Sequence, residues 1–448
     1  MPYIKRKLEI YLNALVTQDV STTGVILVEG ARQVGKTTLT QRVIKNSGRK
    51  FHAIDLEENT LLRLNIDNCG RFQDFEELLA DELDFHSGDG AVLFIDEAQE
   101  SQQLGRFVRY MKERWQGVQV LLTGSSLTRL FRGDTRYPVG RVMRLHVAPF
   151  DFSEFLTAIG SKRFVEYLSG NQNQISVQRH QRLLNLYDQF LSVGGMPEVV
   201  LIHAAAGDYS RRQLELIADL QSDFLRLFGE DDIDTVMNCL GSVANFVGSP
   251  SKISTVIKSS QNKNRKKAES VFARLEQWAI ILNAVQRGPS PESTHAYHPK
   301  RYLFDTGLLR QLREAAVPRI SILDTIEMAQ RRPLGGVLEN QVAIALHHQM
   351  GVLRGWKRSS SGREIDFVVE QRNLNIPIEC KAALKIKMTH LRGLRAYLES
   401  YDLKFGVVVS FAPYQQIQVD GRVILNIPAY LFSTILGNGL DPGFGGEA

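Results

Sequence analysis

The chain has 448 residues, 43% hydrophobic and 23% charged, which suffices for about three domains with cores of their own. With 54 Lys and Arg against 49 Asp and Glu the net charge is +5, a mild basic excess that permits a nucleic-acid partner without demanding one. A disulfide-framed secreted fold and a membrane-spanning one are both excluded by composition. There are only three cysteines, Cys69, Cys239 and Cys380; Glu9 and Asn13 interrupt any apolar run after the basic Lys5-Arg6-Lys7; and no apolar stretch reaches about 18 residues. A cytoplasmic protein with reduced thiols and no membrane partner is therefore expected.

Ile4, Leu8, Leu12 and Leu15 recur at helical spacing, so a short helix is predicted over residues 4–16. The apolar run Val25 to Val28 then leads into G-A-R-Q-V-G-K-T-T, which fills the G-x-x-x-x-G-K-S/T pattern of a phosphate-binding loop. Glycine lets the backbone bend around phosphates and aim successive N–H groups at them. Gly30, Arg32, Gln33, Val34, Gly35, Lys36, Thr37 and Thr38 are thus expected to hold ATP. Lys36 would reach the β- and γ-phosphate oxygens and the Thr37 hydroxyl would hold Mg2+. The helix opening near Thr37 points its positive end at the same anion.

Phe51 to Ile54 reads as a second strand and Asp74 to Leu83 as a helix. Ala91-Val-Leu-Phe-Ile-Asp96-Glu97 is an apolar run ending in two acids, the pattern of a fully buried parallel strand. Ligands gather at the carboxyl ends of such strands, so Asp96 is expected to hold Mg2+ through water. Glu97 is expected to orient and polarise the attacking water. Leu104 to Trp115 is amphipathic. Val118 to Thr123 is the next buried strand, and after it Ser125, favoured over Ser126, would sense the γ-phosphate. A strand over Val142 to Val147 closes the series, and the strand–helix alternation argues a doubly wound α/β domain over residues 1–150.

The segments G-A-R-Q-V-G-K-T-T-L, F-I-D-E-A-Q, L-L-T-G-S-S and G-R-V-x-R-L-x-V-x-P-F-x-F-S-E-F occur in that order. Together they resemble a large prokaryotic family of AAA+ ATPases, related to the archaeal-type ATPases with nuclease-like C-terminal domains. The resemblance implies an arginine, matched by Arg141, that acts in trans on a neighbour's γ-phosphate, and hence a homo-oligomer, usually a ring. Arg129, Arg132 and Arg136 lie near enough in sequence to compete for that role.

Phe152 to Leu168 and Leu183 to Leu191 read as helices of a lid that, with a connecting helix over Asp219 to Phe228, occupies 151–228. Gly194-Gly195-Met196-Pro197 interrupts this pattern. The resemblance places such a glycine–proline element, and with it Pro197, beside the adenine base in place of a second-sensor arginine. In 229–315, a short helical segment over Ser251 to Ser260, a longer one over Arg265 to Ile281 and two extended runs, Leu282 to Gln286 and Ala296 to Phe304, outline a winged helix. Lys258, Lys263, Arg265, Lys266 and Lys267 sit where its second helix starts, the place that approaches DNA phosphates in a helix-turn-helix.

Over 316–436 the pattern changes again. A helix from Gly336 carries Glu339, a strand over Arg363 to Val369 carries Asp366, and Pro377-Ile-Glu379-Cys-Lys381 places Glu379 and Lys381 on one face of a strand. Two carboxylates and a lysine can hold Mg2+ and an activated water for phosphodiester cleavage. The segment resembles the PD-(D/E)xK nuclease fold, an α/β restriction-endonuclease-like domain. Matched by position, Asp366 and Glu379 would be metal ligands, Lys381 would position the water, and Glu339 would be an auxiliary acid; Glu364 shares the face of Asp366 and could substitute. His390 to Tyr401 reads as a helix, Phe405 to Phe411 as a last buried strand, and the glycine-rich 437–448 as a loose tail. The expectation as a whole is an ATP-hydrolysing AAA+ protein that remodels or translocates on DNA and carries a module that binds or cuts it. The alternatives are a nucleotide-gated switch controlling a nuclease in defence or stress, and a regulatory ATPase acting on protein partners.

Overall fold

Five strands form one all-parallel sheet: Val25–Glu29 (β1), Phe51–Asp55 (β2), Val92–Asp96 (β3), Gln119–Gly124 (β4) and Val142–His146 (β5), in the order β2-β3-β4-β1-β5. The computed structural model describes residues 2–18, 24–125, 127–131, 142–170, 175–250, 252–254, 264–288, 297–358, 362–371 and 374–440. This first sheet belongs to one of two compact units, Tyr3–Ala148 with Gln277–Ala279; the other is built from Pro149–Glu276 and Ile280–Ala448.

In the first unit, β3 and β4 are buried along their whole length, which is why they read as unbroken apolar runs rather than as alternation. The expected helices form as Lys7–Thr17, Lys36–Asn46, Phe72–Leu83 and Leu104–Arg114. A further helix, Thr60–Asn68, was not apparent from periodicity; the Asn59 side chain caps it by accepting the Leu62 N–H at 3.0 Å. The core beside the sheet is aromatic, with Phe75 stacked on Phe107 at 4.9 Å between centroids and Phe72 packed on both. Parallel strands alternating with helices make this unit the α/β fold expected of a phosphate-binding loop.

The second unit begins with helices. The single helix expected over Phe152 to Leu168 is two, Phe152–Ala158 and Lys162–Ser169, because Gly160 takes a left-handed conformation, φ +75°, between them. Val177–Val193, Pro197–Ala204 and Tyr209–Phe228 follow. Helices Glu230–Asn245 and Arg265–Gln277 then lead to an antiparallel hairpin of Ile281–Arg287 (β6) and Lys300–Leu303 (β7). The short helix expected over Ser251 to Ser260 falls almost entirely outside the described residues.

The hairpin does not stand alone. The other edge of β6 pairs in parallel with Leu353–Lys357 (β8), which pairs antiparallel with Glu364–Ile365 (β9), giving the sheet order β7-β6-β8-β9. One hydrogen-bonded sheet thus draws strands from both sides of the expected limit at 315/316.

The strand expected over Arg363 to Val369 is also two. It breaks at Asp366, after which Phe367–Gln371 (β10) enters a different sheet and pairs antiparallel with Leu374–Lys381 (β11). Phe405–Ser410 (β12) is not the last strand but the middle of five. Gln415–Val419 (β13) and Arg422–Pro428 (β14) complete the order β10-β11-β12-β14-β13. Asn426, a polar residue inside the apolar run of β14, is buried because it accepts the Ser410 hydroxyl at 2.6 Å and donates to Pro413 O at 2.6 Å. The helix Ala429–Asn438 runs past the point where the tail was expected to begin; residues 441–448 lie outside the described ones. Cys69, Cys239 and Cys380 are free thiols. Among the described residues no helix is long and apolar enough to cross a membrane.

Candidate active site

The carboxyl ends of β1, β4 and β3 lie side by side, because the strands are parallel neighbours in the sheet. The loop after β1 turns on two glycines. At Gly30 a β-carbon would stand 2.2 Å from Val147 O, a position closed to any side chain. Gly35 takes φ +90° at the N-cap of the helix Lys36–Asn46, a conformation that glycine adopts without strain. Val34 is buried and Arg32 and Thr37 are half-buried, while Gln33 and Thr38 are exposed. The first turn of the helix therefore presents Lys36, Thr37 and Thr38 with their backbone N–H groups at its positive end.

Lys36 is 5% exposed and its Nζ donates to Gly30 O at 3.2 Å and Ala31 O at 2.9 Å. Burial pulls its ammonium below the ordinary value, while the Glu97 and Asp96 carboxylates pull the other way. Arg6 braces the loop from beneath: its buried guanidinium donates to Val34 O at 3.0 Å and to Ala148 O at 2.5 Å. Reading the sequence placed Arg6 only in a basic N-terminal cluster, and nothing local marks it as a brace.

Asp96 ends β3 fully buried. Its Oδ1 accepts the Thr123 hydroxyl and, at 3.0 Å, the Glu97 N–H. Thr123, from β4, was read as a strand residue only; the structure makes it the group that holds Asp96. Ser125 lies two residues further on, half-buried, and Ser126 is outside the described residues. Glu97 sits in the left-handed region at φ 46°, ψ 43°, a strained setting for a non-glycine residue of the kind that gathers at functional sites. Its Oε2 accepts the Gln99 side-chain amide. Burial pushes the Glu97 carboxyl above its ordinary range, against the Gln99 hydrogen bond and the Lys36 ammonium. Gln99 in turn packs on Gly124, where a β-carbon would stand 1.9 Å from its Oε1. The hydroxyl and carboxylate oxygens of Thr37 and Asp96 are a hard donor set that fits Mg2+.

Arg141, and with it Arg132 and Arg136, lies outside the described residues, as do Lys258 and Lys263. Pro197 opens the helix Pro197–Ala204 in the second unit. The turn before it is held from below: Asp305 Oδ2 accepts the Gly195 N–H at 2.7 Å, and Gly195 O accepts the Phe150 N–H at 2.7 Å. Arg265 pairs with Glu269 at 2.8 Å, Lys267 pairs with Asp232 at 2.5 Å, and Lys266 is exposed.

The acids expected to bind metal do converge. Glu339 comes from the helix Met328–Met350, Asp366 from the break between β9 and β10, and Glu379 from β11, and all three are buried. They meet a lysine that the sequence reading passed over. Lys300, the first residue of β7, has a wholly buried side chain, with Nζ 2.7 Å from Asp366 Oδ1, 3.0 Å from Glu339 Oε1 and 3.3 Å from Glu364 Oε1. Asp366 Oδ2 accepts the Cys380 N–H at 2.8 Å, Glu339 Oε1 also accepts the Tyr302 hydroxyl at 2.6 Å, and Lys381 pairs with Glu379 Oε1. Glu379 Oε2 has no hydrogen bond among the described residues.

Burial alone would raise the Asp366 carboxyl, but Lys300 and Lys381 hold it below its ordinary value. Burial and the Asp366 charge push Glu379 up to about 8 and Glu339 up to about 7. Among the described residues no group of three or more His, Cys, Asp or Glu side chains is disposed to hold a metal ion. Glu339, Asp366 and Glu379, the acids expected to form a Mg2+ site, thus stand together and face Lys300 and Lys381.

Residues 22–156 match the model of an AAA domain family. That match supports an AAA-type ATPase family for the first unit. Residues 184–318 and 334–430 match two domains of unknown function, DUF8612 and DUF4143; Lys300 falls in the former, and Glu339, Glu364, Asp366 and Glu379 in the latter. Over 177 residues the chain is 27% identical to an uncharacterized protein of Methanocaldococcus jannaschii, an overlap of 39% of this chain and 36% of that protein. The chain thus spans about a third of the length of that curated relative. Among solved structures it is similar to a Walker-type ATPase of Pyrococcus abyssi, with TM-score 0.46 and 16% identity over 69% of this chain and 96% of the other. It is also similar to RuvB, a Holliday junction branch migration motor of Thermotoga maritima, with TM-score 0.31 and 14% identity over 67% and 92%.

Proposed function

We propose that this protein hydrolyses ATP in its first unit and uses that hydrolysis to remodel or translocate on DNA, as a cytoplasmic homo-oligomer. The observation that carries the reading is the meeting of Lys36, Asp96, Glu97 and Thr123 at the carboxyl ends of three adjacent parallel strands, a place where ligands collect. The match of residues 22–156 to an AAA domain supports it.

The backbone from Gly30 to Thr38 cradles the phosphates, and Lys36 leaves the Gly30 and Ala31 carbonyls to bind the β- and γ-phosphate oxygens. Thr37 and Asp96 would hold Mg2+, which when bound neutralises charge developing on the phosphates. Thr123 fixes the rotamer of Asp96. Glu97, its carboxyl raised by burial and held by Gln99, orients the water and takes its proton. Arg141 is the group proposed to act on the nucleotide of a neighbouring copy. If so, Arg141→Ala stops hydrolysis and leaves ATP binding, whereas full activity in a monomer would sink the role in trans.

Work on DNA is supported by the basic excess of the chain and by the run Lys258, Lys263, Arg265, Lys266 and Lys267 in its sequence, of which Arg265, Lys266 and Lys267 open the helix Arg265–Gln277. Branched DNA is the substrate we would try first. The test is ATP turnover measured with single-stranded, duplex and branched DNA, with cleavage products run alongside. DNA stimulation that weakens steeply with salt supports the reading.

A second reading, a regulatory ATPase acting on protein partners, is favoured by the pairing of Lys267 with Asp232 and of Arg265 with Glu269, which compensates part of that basic run. Turnover indifferent to every DNA, with no salt-sensitive DNA binding, would support it instead.

A further inference from the structure

We propose that Lys300 serves as a built-in cation, lodged where a divalent ion would bridge Glu339 and Asp366, and that while β7 is seated the acidic site of the C-terminal region takes no metal and cuts no nucleic acid. This inference does not rest on the nucleotide reading.

The geometry carries it. An ammonium has three N–H donors and no acceptor. Around Lys300 Nζ stand three carboxylates, from Asp366 at 2.7 Å, Glu339 at 3.0 Å and Glu364 at 3.3 Å, so each donor has an anionic partner. A divalent ion bound by the same Glu339 and Asp366 oxygens would need to lie about 2.0–2.6 Å from them. That is the focus Nζ already occupies, and two cations cannot share it. Glu379 Oε2 has no hydrogen bond among the described residues, but a single carboxylate oxygen does not make a metal site. Asp366 Oδ2 is held by the Cys380 N–H, and Glu379 Oε1 is paired with Lys381.

Nor is Lys300 a surface side chain that could swing away. Its side chain is 0% exposed, and its backbone is paired to Ala284 in β6. Burial of the side chain and pairing of the backbone both hold it against the acids. Tyr302, two residues on and so on the same face of β7, gives its hydroxyl to Glu339 at 2.6 Å. One short strand therefore supplies both the positive charge and the neutral donor that satisfy the helix acid. An apolar residue in place of Lys300 would leave the Glu339, Glu364 and Asp366 carboxylates facing one another without their shared cation. The module reads as a nuclease-like scaffold in which a lysine has taken the place of the ion.

The experiment is Mn2+ binding to the nucleotide-free full chain, followed by the EPR signal of free Mn2+, for the wild type, Asp366→Asn, Glu379→Gln, Lys300→Ala, Lys300→Met and the double variant Lys300→Ala/Asp366→Asn. The wild type should show no Mn2+ site that Asp366→Asn or Glu379→Gln removes. Lys300→Ala or Lys300→Met should gain a site at least about tenfold tighter than any in the wild type, the scale of a change in a metal's immediate surroundings, and the double variant should lose it again. A wild-type Mn2+ site abolished by Asp366→Asn or Glu379→Gln would overturn the proposal. So would a Lys300 variant that retains its circular dichroism and thermal transition yet gains no Mn2+. If both Lys300 variants fail to fold, the comparison of wild type with Asp366→Asn and Glu379→Gln decides the matter alone.

Discussion

The Asp305 carboxylate accepts the backbone N–H of Gly195 at 2.7 Å across 110 positions of sequence. The same side chain caps the helix Thr306–Leu312 by accepting the Leu308 N–H at 2.9 Å, and a β-carbon at Gly194 would collide with it at 2.4 Å. The turn before Pro197 and the segment that follows β7 are therefore one hydrogen-bonded piece within the second unit. The Gly194-Gly195-Met196-Pro197 interruption and the residues Asp305 to Leu309 are the two halves of a single contact.

Removing that contact has a calculable cost. Asp305→Ala loses a helix cap, worth about 1 kcal/mol, and strands the buried Gly195 N–H, worth about 1–3 kcal/mol more. The expected destabilisation is about 2–4 kcal/mol, or a drop in Tm of about 5 °C or more. Thermal unfolding of the purified variant checks it, and a Tm unchanged from wild type would show that the contact is not formed in solution.

Lys36→Ala and Glu97→Gln separate binding from chemistry. Lys36→Ala removes the charge on the phosphates and is expected to lose ATP binding and to lower turnover by about 10²-fold or more. Glu97→Gln keeps the shape of the site and removes only the proton acceptor, so it is expected to bind ATP as wild type does and to hydrolyse it about 10²- to 10⁴-fold more slowly. Equilibrium binding of a fluorescent ATP analogue beside a phosphate-release assay distinguishes them. Unaltered hydrolysis in either variant is incompatible with the assigned roles.

Thr123→Ala tests a residue that acts through another. It withdraws the hydroxyl that Asp96 accepts and costs about 1.5–3 kcal/mol of a charge-assisted hydrogen bond. Turnover should fall about 10- to 100-fold at saturating Mg2+, the Mg2+ concentration for half-maximal activity should rise, and Thr123→Ser should restore both. A purely structural role would lower Tm without moving the Mg2+ dependence.

His180 supplies a pH signature. Burial holds its imidazole below the ordinary value of 6.5, opposed by a hydrogen bond involving the Phe411 backbone, and its Nδ1 lies 2.7 Å from the Tyr430 hydroxyl. Since the folded-state value is depressed, the unfolded chain takes up the proton first as pH falls. The stability linked to His180 is therefore fully present above pH 6.5 and declines as pH drops below it toward the folded-state value. Denaturation of wild type and His180→Phe at pH 7.5 and 5.5 should show wild type losing more on acidification. Equal losses would mean that His180 titrates as it does in the unfolded chain.

Much of the first unit was legible without coordinates, because its chemistry is local. A phosphate loop needs Gly30, Gly35, Lys36 and Thr37 within a single turn of backbone, and a buried parallel strand announces itself as the unbroken apolar run that ends at Asp96 and Glu97. The α/β class and the order of its elements follow from the same short-range rules. Arg6, Thr123, Gln99 and Lys300 were not legible, for one physical reason. Each acts through a hydrogen bond or ion pair whose partner is chosen by packing. Arg6 reaches Ala148 across 142 positions, and Lys300 reaches Asp366 across 66. A lysine in H-P-K-R-Y looks like a solvated charge until β6 and β7 join β8 and turn it inward. Sequence alone determined that this chain carries the pattern of a phosphate-binding loop and, far downstream, a set of acids. Only the tertiary structure decided what cation those acids face, because the sign and position of a buried charge depend on which strands share a sheet.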